Sequence, residues 1–139
     1  MERVIVGRVV VAGTASGELL FADEALSFWG GYDQTTGEVI DRRHPLSGQI
    51  AAGRILAISA SKGSSTTSAV LLEAALAGTA PAAIVTAGPD RFLALASIVA
   101  EETFGKPVPM VALDAADFAS LRGASQVAVL ADGVIRISG

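Results

Sequence analysis

Seven consecutive residues, Lys62-Gly63-Ser64-Ser65-Thr66-Thr67-Ser68, gather hydroxyls and one cation between an apolar run ending near Ile58 and an Ala/Leu-rich stretch with helical spacing. A strand, a tight glycine turn and a helix start in that order place Ser64, Ser65 and Thr66 where unpaired backbone N–H groups point outward. That is a ready site for a carboxylate or a phosphate. Ser and Thr are also preferred N-cap residues and Gly the usual turn residue, so a plain capped helix is the competing explanation. The hydroxyls exceed what one cap needs, and one Ser is left free for chemistry.

A second concentration of polar groups lies between Leu26 and Leu46, where Trp29, Gly30, Gly31, Asp33, Thr36, Asp41, Arg42, Arg43 and His44 fall close together. One reading is a hairpin-like excursion in which Asp33 and Thr36 close a turn and Asp41 pairs with an Arg. The other, which the variety of polar groups favours, is a wall of a polar site. Close backbone approach would come at Gly30 and Gly31, anion recognition from an Arg, and a hydrogen-bond partner from His44. Glu101-Glu102 is an acidic pair of a kind used in general acid–base work, but no third acid lies near it in the sequence, and one of the pair reads better as a solvated charge or an interface contact.

Composition narrows the chemistry. With no cysteine among 139 residues there is no disulfide, no thiolate nucleophile and no thiolate ligand for zinc or an iron–sulfur cluster. His44 is the single histidine, so a metal held by this chain alone would need an all-oxygen site. The net charge of −4 and the scattered Lys and Arg argue against a nucleic-acid partner. The first residues lack a signal-peptide pattern and no apolar stretch reaches spanning length, so no membrane partner and a cytoplasmic location are expected. About half the residues are apolar, enough for one core, and a single domain over 1–139 is expected.

Periodicity supplies the elements that must position the turn. Strands are predicted at Val4–Ala12, Glu18–Phe21, Arg54–Ser59, Ala82–Thr86 and Pro109–Leu113, with helices over 66–77, Pro89–Phe104 and Asp114–Leu121. Gln126–Ala131 and Val134–Ser138 flank Asp132-Gly133, a strong hairpin signal. Residues 23–48 are not periodic, yet Phe28, Trp29, Tyr32 and Ile40 argue for order, because such side chains need something to pack against. The sum is an α/β chain: a β-rich start, a βαβαβα middle with parallel strands, and a terminal hairpin. Only two main helices are available to cover the sheet, so a layered or barrel-like β/β/α domain with a mixed sheet is expected rather than a doubly wound one.

Four segments together carry a family resemblance: Ser27 to Leu46, Lys62 to Ser68 with Val70-Leu71-Leu72-Glu73, Ala80 to Val85, and Ile98 to Gly105. Over about Gly7 to Leu121 the chain resembles the small subunit, a swivelling β/β/α domain, of the aconitase X family. The resemblance implies one half of a two-chain hydro-lyase. A large, cysteine-containing subunit would hold an iron–sulfur cluster or iron and most of the substrate site, and the small-molecule substrate would be a hydroxy acid. In the wider aconitase superfamily the first Ser of a Gly-Ser-Ser-Arg turn is the catalytic base, which implies that role for Ser64. Together with the residue-level reading of both polar segments, Gly63, Ser65, Thr66, Lys62, Gly30, Gly31, Asp33 and His44 are expected to bind the substrate. The chain departs from the superfamily at Thr66, which stands where the Arg would be, so no carboxylate clamp is expected there. The family's reactions are dehydration of cis-3-hydroxy-L-proline to a pyrroline-2-carboxylate and dehydration of a phosphorylated mevalonate. Absence of hyperthermophile-like Lys/Glu enrichment favours the former. The rival from another class is a non-catalytic domain that binds an anion or a protein.

Overall fold

The computed structural model describes residues 2–63 and 65–139. Ten strands and three helices follow in the order β1 (Arg3–Val6), β2 (Arg8–Val11), β3 (Ala15–Ala22), β4 (Leu26–Ser27), β5 (Ile55–Ile58), β6 (Ser61–Lys62), α1 (Ser65–Ala77), β7 (Ala83–Ala87), α2 (Arg91–Phe104), β8 (Met110–Leu113), α3 (Ala115–Ala119), β9 (Gln126–Val129) and β10 (Val134–Ser138). Eight strands form one mixed sheet in the order β1-β10-β9-β3-β5-β7-β8-β2. Its two outermost strands, β1 and β2, are consecutive in the chain and joined by Gly7 alone. A sheet whose edges share a one-residue link must curl until those edges meet, and so the barrel-like expectation holds. Gly7 donates its N–H to the Gly133 carbonyl at 2.9 Å, and a side chain there would run into Val111 and Leu113.

That closure corrects the single strand expected over Val4–Ala12. The run breaks at Gly7 because its halves serve opposite edges: β1 pairs antiparallel with β10, and β2 antiparallel with β8. The Asp132-Gly133 hairpin is present, with Ile135 opposite Val129 and Ile137 opposite Val127.

The strands β5, β7 and β8 are buried on both faces, which explains why they read as largely apolar runs, while β3 pairs parallel with β5 only over Leu19–Ala22. Ile55, Ala57, Ala83, Val85, Val111 and Leu113 point into one core, shared with Ile135 and Ile137 of β10 and plugged by Phe118 and Leu121 around α3. Leu56, Ile58 and Ile84 point the other way, against Val70, Leu71 and Ala74 of α1 and Leu93, Ala96 and Ala100 of α2. Asp90 caps α2, and Gly105 ends it in the left-handed region with its N–H on the Glu101 carbonyl. Ser97 fastens the far side: its hydroxyl donates to the Val108 carbonyl and accepts the Val108 N–H, both at 2.7 Å.

The long segment between β3 and β5 is the third crossover of the helix layer, made without a helix. Parallel strands need a connection of a dozen or more residues. This one buries Leu26, Phe28, Tyr32, Val39, Leu46 and Ala51 in the same core as the helices. Phe28 and Tyr32 stack at 5.2 Å, while Trp29 is 68% exposed, so only part of the aromatic content is packed. Tyr32 donates its hydroxyl to the Thr79 carbonyl at 2.7 Å, and burial pushes that phenol's pKa up. Among the described residues no helix is long and apolar enough to cross a membrane.

Candidate functional site

Beyond the carboxyl ends of β3 and β5 the chain makes a second, two-stranded parallel sheet, which the sequence did not signal. Leu26 lies opposite Ser61 and Ser27 opposite Lys62, while Leu26 donates its N–H to the Ala60 carbonyl at 3.0 Å. This small sheet carries the Lys62–Gly63 turn past the end of the barrel and lays it beside Ser27. Gly63 has φ +93°, a conformation that side chains rarely adopt, although a Cβ there would meet only ordinary contacts. The glycine is required by the turn and not by crowding. Thr67, fully buried, donates its hydroxyl back to the Lys62 carbonyl at 2.9 Å and fixes the turn to α1.

Lys62 and Gly63 are exposed at the start of α1, as is Thr66 in its first turn. Ser65 is the first residue of that helix. Ser64, the residue on which the catalytic expectation falls, lies outside the described residues. A 13-residue helix leaves its first N–H groups without intrahelical partners and carries a partial positive charge at that end. Such an end is suited to a carboxylate.

The neighbouring turn belongs to the same rim. The Thr86 hydroxyl donates to the Gly88 carbonyl at 2.6 Å, and Asp90, starting α2, accepts from Phe92 and Leu93 N–H at 3.1 Å each. Its other oxygen accepts both the Ser61 N–H and the Ser61 hydroxyl at 2.7 Å. In the sequence Asp90 reads only as the start of a helix, because a contact across 29 positions has no local signature.

The Leu26–Leu46 residues divide. Gly30 and Gly31 follow Ser27, which pairs with Lys62, so they stand on the turn's side of the crossover. Gly30 has open space where a Cβ would sit, but at Gly31 a Cβ would collide with the Ser27 carbonyl. Close approach at Gly31 is therefore made by the chain itself. Asp33 goes elsewhere: the hydroxyl of Thr79, just past the end of α1, donates to the carbonyl of the adjacent Gln34 at 2.6 Å. Since α1 separates Thr79 from the turn, Asp33 sits about 20 Å away. Its carboxylate accepts the Thr35 N–H at 2.8 Å, closing a turn as the hairpin-like excursion requires. Asp41 accepts the Arg43 backbone N–H at 3.0 Å; this is a contact to an Arg, though not to a guanidinium. His44 is 5% exposed, its Nδ1 accepts the Leu46 N–H at 3.1 Å, and its Nε2 is buried with no partner among the described residues. Glu101 and Glu102 are exposed, roughly 16 Å along α2 from the Asp90 end.

No group of three or more His, Cys, Asp or Glu side chains comes together among the described residues in a way that could hold a metal ion. With no cysteine in the chain, its own residues do not fit an iron–sulfur cluster. Two surface hollows open beside β9 and the first residues of β3, lined by Ser16 and Ala128, roughly 20 Å down that strand from the rim.

A curled mixed sheet with its two long helices on one face, presenting a hydroxyl-rich turn at one rim, defines a swivel-type β/β/α domain. Residues 4–137 match the aconitase X swivel domain, and the chain belongs to that family. It is 33% identical to aconitase X of Thermococcus kodakaraensis, whose holo-form crystal structure superposes with a TM-score of 0.86 over 99% of both chains. A cis-3-hydroxy-L-proline dehydratase of Pseudomonas aeruginosa is 59% identical over 78% of this chain. The matched part is only 19% of that relative, so the chain spans about a fifth of its length. The phosphomevalonate dehydratase small subunit of Thermococcus onnurineus is 36% identical, with 94% of this chain and 95% of that one aligned.

Trp29 follows directly on the strand that pairs with Lys62, and so large an exposed ring is suited to anchor a partner. In the two-chain enzyme proposed below, Trp29→Ala is expected to weaken association with the large subunit by about 2 kcal/mol, near 30-fold in Kd. Titration of the two chains checks this, and unchanged affinity rejects the anchor.

Proposed function

We propose that the whole chain, 1–139, acts as the swivel-domain subunit of a cytoplasmic hydro-lyase that dehydrates cis-3-hydroxy-L-proline to a pyrroline-2-carboxylate. The observation that carries this reading is the 59% identity to the Pseudomonas dehydratase, against 36% to the Thermococcus small subunit. The partner is a large, cysteine-containing subunit that holds the iron–sulfur cluster or iron. Phosphomevalonate dehydration is the second reading, favoured by the end-to-end match with a separate small subunit.

In this reading Ser64 takes the α-proton of the substrate. A Ser hydroxyl is a weak base at neutral pH, so its oxygen must be stabilised as it gains negative character. The N–H groups opening α1 and the ammonium of Lys62 supply that stabilisation. Ser65 and Thr66, with the Gly63 backbone, hydrogen-bond the substrate at the same helix end. Gly30 and Gly31 border the turn. Closure against the large subunit excludes water and strengthens each of these terms. His44 and Asp33 support the crossover that carries Trp29.

The paired subunits should be assayed on cis-3-hydroxy-L-proline and on phosphorylated mevalonate. Turnover of the first alone is the expected result. Turnover of the second alone would transfer the chain to the other reaction, and turnover of neither would favour a non-catalytic binding domain.

A further inference from the structure

We propose that Asp90 is a positioning residue for the Lys62–Gly63 turn, holding the strand that enters the turn and the start of α2 in one fixed relation. A helix cap needs one carboxylate oxygen, and Asp90 Oδ1 fills that duty by accepting from Phe92 and Leu93 N–H. Oδ2 is spent differently. It accepts the backbone N–H and the hydroxyl of Ser61, each at 2.7 Å, immediately before Lys62. These are short bonds to a carboxylate, stronger than neutral ones.

Two further bonds brace the same place. The Ser68 hydroxyl, in the first turn of α1, donates to the Phe92 carbonyl at 2.7 Å, and the Thr67 hydroxyl returns to Lys62. The turn is thus held on its entering strand by Asp90 and on its leaving helix by Thr67 and Ser68. Catalytic geometry tolerates little error: a displacement of about 1 Å costs roughly 100-fold in rate. The role rests on the proposed function of Ser64, which lies two residues beyond Lys62 in the sequence.

Asp90→Asn separates the two duties. Asn caps a helix as well as Asp, so α2 keeps its start. Its amide nitrogen, however, is a donor and cannot accept from the Ser61 N–H. In the paired enzyme acting on cis-3-hydroxy-L-proline, D90N should lower kcat about 100-fold with KM changed less than about threefold. Amide hydrogen exchange on the full chain should show the Ser61 N–H losing protection by about tenfold or more while Phe92 and Leu93 keep theirs. A wild-type kcat, or a raised KM at unchanged kcat, would overturn the role, as would a Ser61 amide that stays protected in D90N. Ser64→Ala measured alongside distinguishes the two proposals. Inactive S64A with fully active D90N rejects Asp90 alone; fully active S64A rejects the base, and the exchange measurement then decides whether Asp90 holds the turn.

Discussion

Ser64→Ala is expected to lower turnover of the paired enzyme by several orders of magnitude while folding and association survive. Even a helix-capping hydroxyl is worth only about 1 kcal/mol, so loss of this one is too little to unfold a domain with two buried cores. Loss of the group that takes the proton removes a term found only in the transition state, so kcat and kcat/KM fall together. Ser65→Ala should do less, because a residue that hydrogen-bonds the substrate contributes in ground and transition states alike. Exchange of the substrate α-proton with solvent gives a separate reading, since it needs the base but not departure of the hydroxyl. An S64A enzyme that exchanges this proton at the wild-type rate would put the base on the other subunit and leave the turn as an anion site.

The second large effect is expected from removing the partner. Purified alone, this chain should show no dehydratase turnover, and activity should appear on titration with the large subunit. The reason lies in what this chain offers: a turn at an exposed rim, no thiolate ligand, and surface hollows at the opposite end of β3. A reacting hydroxy acid must be gripped from more than one side and shielded from water, and the rim supplies one side. Turnover by the isolated chain at a rate near that of the pair would reject the half-site reading.

Much of the frame is local and was readable. The α2 helix declares itself through Pro89-Asp90 before it and Gly105 after it, and the final hairpin through Asp132-Gly133, because caps and tight turns are set by residues adjacent in sequence. The largely apolar runs Arg54–Ser59, Ala82–Thr86 and Pro109–Leu113 pointed to buried parallel strands, and β5, β7 and β8 are covered on both faces.

The Val4–Ala12 run is different, since nothing near Gly7 says that its two halves will pair with β10 and β8 at opposite edges of the sheet. The crossover is different again. Asp33 and Lys62 carry similar polar signals, yet Tyr32 and Gln34 tie the first to the end of α1 while β4 and β6 set the second beside Ser27. Residue types and local spacing determined the long helices, the buried parallel strands, the final hairpin and the family to which the chain belongs. Which polar residues meet at the rim was decided by strand order and by bonds such as Ser61 to Asp90, because a pairing between distant segments depends on how the whole sheet closes and leaves no mark on either segment alone.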